Sequence, residues 1–467
     1  MKPVFGVIIG NRGFFPDELV KQGREEILQV LEEMHCEAVI LDTEDTKLGA
    51  VETFDDAKKC AKIFRENSEK IDGVIVTLPN FGDERSVADT LRMARLEVPV
   101  LIQASPDDPK NAKMGGRRDS FCGKISVCNN LRQYNIPYSL TMNHTVKVDS
   151  DEFRREIEKF IGVSRVVKGM ENIRIGAVGA RPANFTTVRY SEKILEDYGI
   201  TVETIDLSEI FGRVEKLKNT DKKVKAKLAS IKNYIPTGDI QEEFLIKMAK
   251  LAVVLDDFIN DHDLDATALQ CWTAMEEYYG IVPCTVMSMM SDSLKPSACE
   301  VDVTGALSMY ALQLASGSPS AIVDWNNNFG GDPDKCVLFH CSNLPKTFFS
   351  AVRMGFQEII AGDVGQENTY GTCVGRIKSG LMTFARFSTD DTSGRLVSYI
   401  GEGRFTDEPF DTFGGYGVAE IPNLQALLHF ICYSGFEHHV AVNLSRSADI
   451  LHEAFTNYLD FDTYYHL

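Results

Sequence analysis

The sequence has no apolar run that approaches the roughly 20 residues needed to span a membrane. The opening residues, MKPVFGVIIGNRG, contain a short apolar stretch but no small-residue cleavage site after it. This stretch therefore predicts a first β-strand and not a signal peptide. We expect a protein without a membrane partner.

Paired cysteine motifs are also missing. The 11 cysteines are odd in number, scattered along the chain and never spaced as Cys-x-x-Cys. This pattern argues against a disulfide scaffold or a zinc ribbon, and it is typical of reduced core thiols. We expect a cytoplasmic location.

Basic residues are fewer than acidic residues. The chain has 49 Lys and Arg against 68 Asp and Glu, which gives a formal net charge of −19. A field of this sign repels nucleic acid and attracts cations. We expect no nucleic-acid partner.

The pattern that is present predicts an α/β protein of 467 residues with several domains. Short β-branched runs such as PVFGVIIG and GVIVTLP alternate with amphipathic stretches, which indicates βαβ units and parallel sheets. A second such series starts at NIRIGAVGARP, and Gly- and Thr-rich β-like segments follow it. We predict two doubly wound, Rossmann-like domains over residues 1–168 and 169–320, then a β-rich domain with closing helices over 321–467.

Two carboxylates stand out in the apolar segment CEVDVTGALSMYALQLASGSPSAIVDWNNN. Glu300 and Asp324 both occur where a buried interior is expected. An unpaired buried carboxylate costs several kcal/mol, so a cation, a metal ion or a hydrogen-bond network must compensate it. A helix N-cap or a buried ion pair is the simpler alternative for either residue, and Asp302 is expected to be a cap.

Histidines follow the two acids at His340 and in the doublet His438-His439. Carboxylates together with imidazoles suit Mn²⁺, Mg²⁺ or Co²⁺ better than a thiolate-preferring ion. For His340 the alternative is a hydrogen-bonded core imidazole on a strand.

The segment that starts at Glu300 resembles the L-fucose isomerase and L-arabinose isomerase superfamily. The fucose branch matches in the Glu-x-Asp start, the small-residue turn and the step to Asp324, whereas His340 and the His-His doublet are more similar to the arabinose branch. The likeness extends more loosely over the whole chain. It implies a metal-dependent aldose–ketose isomerase, most simply with Mn²⁺.

Residue by residue, the resemblance implies that Glu300 and Asp324 are metal ligands that also form the acid/base pair. A late histidine would be the third ligand. Counting back from Ala448-Asp449 favours His438, whereas the arabinose branch favours His439. His340 would complete an arabinose-like site.

Further residues are implied as substrate contacts. Arg12 matches a sugar-contacting arginine of the fucose branch, Gln270 matches a substrate-contacting glutamine, and the run beginning Trp325-Asn326 is expected to line the pocket. The resemblance also implies a homo-oligomer, such as a hexamer, in which Arg12 acts on the site of a neighbouring subunit.

The expected chemistry moves a proton between C1 and C2 of an open-chain sugar through an enediolate. It needs no organic cofactor. A metal-dependent epimerase or aldolase on the same scaffold is one alternative, and a non-catalytic sugar-binding module is another. Three types of substrate remain as alternatives: a deoxyhexose, a pentose, and an acidic or sulfonated sugar.

Overall fold

The computed structural model describes residues 2–110, 113 and 115–467, which group into two compact units. The first unit contains the chain up to Lys168 together with Glu453–Asp460. The second contains Gly169–His452 and Phe461–Leu467. The predicted division of this second unit at residue 320 stays a prediction.

The first unit is a parallel α/β layer in which the five strands are ordered β2-β1-β3-β4-β5. Its strands are β1 (Val4–Ile9), β2 (Glu37–Ile40), β3 (Gly73–Leu78), β4 (Val100–Ala104) and β5 (Ser139–Leu140). Its helices are α1 (Asp17–Glu33), α2 (Phe54–Glu66), α3 (Glu84–Ala94), α4 (Ser120–Gln133) and α5 (Asp151–Gly169). All six residues of β3 are buried, as expected of a central strand covered on both faces.

The second unit begins with a parallel sheet of four strands in the order β7-β6-β8-β9. These strands are β6 (Arg174–Val178), β7 (Thr201–Ile205), β8 (Ala266–Leu269) and β9 (Ser297–Cys299). The helices of this part are α6 (Glu192–Asp197), α7 (Leu207–Lys216), α8 (Lys222–Tyr234), α9 (Glu242–Asp261), α10 (Cys284–Asp292) and α11 (Val303–Ser316). A π-helical turn at Met275–Tyr279 lies between β8 and α10.

A mixed sheet of nine strands follows in the same unit, and six of its strands close into a ring. The strands are β10 (Ser320–Asn328), β11 (Lys335–His340), β12 (Arg353–Phe356), β13 (Tyr370–Arg376), β14 (Gly380–Asp390), β15 (Arg395–Phe405), β16 (Gly415–Glu420), β17 (His439–Asn443) and β18 (Asp462–His466). Antiparallel pairing runs from β10 through β11, β16, β15, β14 and β17 back to β10. The remaining helices are α12 (Ala361–Val364), α13 (Leu424–Ser434) and α14 (Ala448–Glu453).

Two parallel sheets followed by a β-rich region confirm the predicted fold class. The apolar helix α11 is almost wholly buried, and it contacts β8 of the parallel sheet as well as β14 and β17 of the ring. Within the described part of the chain, every helix falls short of what crossing a bilayer requires.

Candidate functional site

A cavity of about 330 Å³ lies in the second unit, and both predicted carboxylates line it. Its lining consists of Phe185, Trp272, Glu300, Asp324, Phe339, His340, Cys341, Gln357, Ile359, Ile360, His438 and His439. Acids, imidazoles and aromatic rings thus form most of the wall, and none of the lining residues is Lys or Arg.

Strand register brings Asp324 and His439 together. They are directly paired residues of the antiparallel strands β10 and β17, and the carboxylate Oδ1 of Asp324 lies 3.4 Å from Nε2 of His439. On the other side of β10, Asp324 pairs with Phe339, the residue before His340. Three strands of the ring therefore deliver three of the predicted site residues to one place.

Glu300 reaches the cavity from a turn between β9 and α11. Glu300 and the β-branched Val301 both have positive φ angles, 61° and 58°. Such a conformation costs about 1–3 kcal/mol per residue and typically occurs where function requires it. The indole of Trp272 donates a 2.6 Å hydrogen bond to Oε1 of Glu300, and Nε2 of His439 lies 3.1 Å from Oε2.

The two histidines of the doublet approach the same carboxylate, because Nε2 of His438 lies 3.6 Å from Oδ1 of Asp324. Adjacent residues in a strand point to opposite sides, but β17 begins only at His439, so His438 lies outside the alternating segment. Which of the two histidines is a ligand stays a prediction. The side chain of His438 is 44% exposed, whereas that of His439 is 1% exposed.

The pKa values of the five groups are displaced from their usual ranges. Burial raises the pKa of Asp324 to about 7 and lowers those of His340 and His438 to about 4. Burial would also lower the pKa of His439, but two carboxylates next to its ring nitrogens raise it to about 10. For Glu300 the unfavourable burial is outweighed by His439, which leaves its pKa below the usual value.

These donors are suited to a divalent cation. Ligand atoms of Glu300, His340 and His439 lie within 4.8 Å of one another, and so do those of Asp324, His438 and His439. Among the described residues, no hydrogen-bond donor is correctly oriented toward Oε2 of Glu300, although this oxygen is buried. The imidazole of His439, 3.1 Å away, compensates the charge of this oxygen, which keeps the capacity to bind a cation as well.

Arg12 lies in the first unit, at the carboxyl end of β1. Its Nε donates a 2.8 Å hydrogen bond to the carbonyl of Gly82, and its guanidinium pairs with Glu84 and lies 4.4 Å from the ring centre of Phe81. Its role as a sugar contact stays a prediction.

Three further predicted contacts are absent from the cavity lining. Oε1 of Gln270 accepts a 2.8 Å hydrogen bond from the backbone N–H of Ala180. The indole N–H of Trp325 donates to the hydroxyl of Tyr399 at 2.9 Å. Asn326 is exposed at an irregularity in the register of β10 and β11. Their proposed contacts with a sugar stay predictions.

Asp302 caps α11 as expected, since its carboxylate accepts a 2.8 Å hydrogen bond from Gly305 N–H. Sequence reasoning missed its second role, which is to accept a 2.8 Å hydrogen bond from Nδ1 of His439. It also missed Phe185, whose ring centre lies 5.5 Å from that of His438, and Gln357 in the cavity wall. The Glu-x-Asp spacing was the available signal for Asp302, whereas no local pattern indicated Phe185 or Gln357.

Comparisons with known proteins show that the chain is similar to sugar isomerases. A family model described as the N-terminal domain of fucose/sulfoquinovose isomerase matches residues 6–171, and one for the C-terminal domain of L-fucose isomerase matches residues 338–466. The chain is 23% identical over 381 residues to sulfoquinovose isomerase of Priestia aryabhattai, which covers 80% of this chain and 81% of that protein. It is 22% identical over 356 residues to the sulfoquinovose isomerase of Alkalicoccus urumqiensis, covering 74% and 76% of the two chains.

Proposed function

The chain belongs to the L-fucose isomerase family of sugar isomerases, and on this premise we propose that it is a metal-dependent aldose–ketose isomerase that acts through an enediolate. Glu300, Asp324 and His439 would hold the ion, with His340 and His438 as further candidate donors. The observation that carries the proposal is the pair of overlapping groups of carboxylate oxygens and imidazole nitrogens, in each of which the ligand atoms lie within 4.8 Å of one another.

The donor set favours Mn²⁺, with Mg²⁺ or Co²⁺ as alternatives, because it combines carboxylate oxygens with imidazole nitrogens. When bound, such an ion would supply the positive charge that stabilises the negative charge developing on the two sugar oxygens. The protein itself supplies the groups that move protons.

Two proton movements convert an aldose into its ketose. The proton on C2 is removed and returned to C1, and the proton on the O2 hydroxyl moves to O1. We assign these movements to Glu300 and Asp324, one for the carbon-bound proton and one for the hydroxyl protons. A carboxylate positioned beside the reacting atoms is a common general acid or base.

The other wall residues would orient the sugar and exclude water. Phe185 and Trp272 form an aromatic corner, with ring centres 5.7 Å apart. Oε1 of Gln357 accepts a 2.6 Å hydrogen bond from the N–H of Ile359. This bond orients the amide of Gln357, whose NH₂ group would be a neutral donor for a sugar hydroxyl.

Two substrate classes have support. Relatives named sulfoquinovose isomerase favour a sulfonated hexose. The lining residues favour a neutral sugar, because none of them carries the guanidinium or ammonium group that would pair with a sulfonate. With the sulfonated substrate, the missing cation would come from outside the lining, and Arg12 is the residue that the resemblance nominates.

We also propose that the enzyme is a cytoplasmic homo-oligomer with active sites shared between subunits. The cytoplasmic location is supported by the free thiols of all 11 cysteines. The shared site follows from the family resemblance, in which the arginine that Arg12 matches acts on the site of a neighbouring subunit.

The test is to remove metal by exhaustive chelation and to restore Mn²⁺, Co²⁺ or Ca²⁺ separately. Each preparation is incubated in D₂O with sulfoquinovose, a neutral deoxyhexose or an aldopentose, and the products are followed by NMR. We expect a ketose carrying deuterium at C1, formed with Mn²⁺ or Co²⁺ and much less with Ca²⁺, whose larger oxygen shell fits imidazole ligands poorly. Ketose formation after chelation would contradict metal dependence.

The same experiment separates the alternatives. An epimerase would invert C2 without forming a ketose, and an aldolase would split the carbon chain. If sulfoquinovose is converted and the neutral sugars are not, the sulfonated substrate is favoured over the neutral one.

A further inference from the structure

A guanidinium group lies completely buried behind the candidate metal site. Arg386 of β14 is 0% exposed, and its side chain lies between two carboxylates that are almost as buried, Asp302 at 0% and Glu437 at 4%. A buried charge of this kind is costly unless every partner is in place. The cavity residues do not include Arg386, so this cost is not explained by substrate contact.

Each of the three guanidinium nitrogens donates at least one hydrogen bond. The guanidinium binds Asp302 through two parallel hydrogen bonds, from Nη1 to Oδ2 at 2.5 Å and from Nη2 to Oδ1 at 2.9 Å. Its Nε donates to Glu437 at 3.1 Å, and Nη2 also donates to the hydroxyl of Thr304 at 3.0 Å. A bidentate interaction of this kind fixes the orientation of a carboxylate more tightly than one hydrogen bond does.

Asp302 transmits this fixed direction to His439. Its Oδ2 accepts the hydrogen bond from Nδ1 of His439 at 2.8 Å. Because an ionised carboxylate only accepts hydrogen bonds, Nδ1 must carry a proton. The other ring nitrogen, Nε2, then faces Glu300 at 3.1 Å and Asp324 at 3.4 Å.

Glu437, the second carboxylate bound to Arg386, fixes the backbone next to the histidine doublet. Glu437 immediately precedes His438 and His439, and its Oε1 accepts a 2.8 Å hydrogen bond from the hydroxyl of Ser388. Ser388 and Arg386 are two residues apart on β14, and therefore on the same face of this strand. Arg386 thus connects to His439 both through Asp302 and through the segment that contains Glu437.

We propose that Asp302 and Arg386 are positioning residues that hold the His439 ring with Nε2 directed at the cation site, and that they thereby determine how tightly the site binds Mn²⁺. The proposal rests on the function proposed above, because it takes the occupant to be a divalent cation. Partners of this kind behind a metal-binding histidine usually contribute 10- to 100-fold to metal affinity.

The test compares Asp302→Asn and Arg386→Lys with the wild-type chain. Mn²⁺ affinity is measured by calorimetry, and folding is checked by circular dichroism. We expect each variant to bind Mn²⁺ about 10- to 100-fold more weakly with the fold retained. Arg404→Lys is the matched control, because Arg404 forms an exposed ion pair with Glu420 on a neighbouring strand. This control should bind Mn²⁺ as the wild type does.

A double variant tests the proposal if a single variant does not fold. If either single substitution leaves an uncompensated buried charge and the chain does not fold, Asp302→Asn combined with Arg386→Gln removes both charges together. Weaker Mn²⁺ binding by this folded double variant supports the proposal. Wild-type affinity in any folded variant that lacks the Asp302 carboxylate overturns it.

A readout without metal separates this proposal from the proposed function. In metal-free wild-type protein labelled with ¹⁵N-histidine, the Nδ1 proton of His439 should give a downfield, slowly exchanging signal that Asp302→Asn removes. An unchanged signal in the variant overturns the positioning role. If the signal behaves as expected but wild-type protein binds no Mn²⁺, the proposed metal dependence fails while the orientation of His439 by Asp302 stands.

Discussion

Two groups of buried polar residues, one in each unit, differ in how completely they satisfy each other. At the carboxyl end of the first sheet, Asn80 donates to Asn11 at 2.8 Å, Asn11 donates to Glu52 at 2.9 Å, and Thr77 donates to Gln103 at 2.5 Å. In the cavity of the second unit, by contrast, Oε2 of Glu300 has no donor among the described residues.

This difference between the two groups indicates which of them can still bind a ligand. Polar groups that saturate one another stabilise the fold and have little left to offer a ligand. Glu300 is compensated by the imidazole of His439, but its oxygen Oε2 lacks an aligned hydrogen bond and can still bind a cation. Three predictions are designed to break or sharpen this contrast.

The largest expected effect is that of Glu300→Gln. This change removes one charge from the cation site together with a proposed proton acceptor, so turnover should fall by at least about 100-fold while the fold persists. Steady-state rates and circular dichroism check this outcome. Glu52→Gln makes the same change in the saturated group and should leave turnover close to wild type. More than a tenth of wild-type activity in Glu300→Gln would remove the residue from the proposed mechanism.

A smaller effect should separate the two histidines of the doublet. His439 belongs to both groups of candidate ligands and is buried, whereas His438 belongs to one group and is half exposed. We therefore expect His439→Ala to lose Mn²⁺ affinity by more than 100-fold and His438→Ala by about 10-fold. Titration with Mn²⁺ measures both, and the exposed His429→Ala serves as control. A weaker effect at His439 than at His438 would indicate that His438 is the metal ligand, as counting back from Ala448-Asp449 suggested.

The smallest expected effect concerns stability and involves a second unsatisfied acid. Glu276 is 1% exposed, and neither of its carboxylate oxygens has a hydrogen-bond partner in the described part of the chain. Burial raises its pKa from about 4.5 to about 8. The folded chain then keeps a proton that the unfolded chain releases, so this contribution to stability is present below about pH 4.5 and is lost as the pH rises toward 8.

Urea unfolding of wild type and Glu276→Gln between pH 5 and 8 measures this contribution. The difference between the two curves should change by up to about 1.4 kcal/mol per pH unit, and only over this interval. Glu277→Gln, a change at the exposed neighbouring acid, should retain nearly all of the wild-type slope. Parallel curves for wild type and Glu276→Gln would show that Glu276 has a partner that compensates its charge.

Local patterns predicted much of the architecture and part of the site. Alternating apolar strands and amphipathic helices indicated the two parallel sheets, because the periodicity of burial depends on residues close in sequence. The same reasoning identified Glu300 and Asp324, since a carboxylate in an apolar run is unusual wherever the run folds. It also identified Asp302 as a helix cap, which is a local role.

The sequence by itself therefore determined the fold class and the candidate acids. Tertiary structure decided which groups meet. His439 and Asp302 are 137 residues apart, and Arg386 and Asp302 are 84 apart, so no local spacing could show that they form one chain of contacts. Only the pairing of β10 with β17 places His439 opposite Asp324, and only the closed ring of strands brings Arg386 to the back of the site, because strand register is set by packing across the whole unit rather than by neighbouring residues.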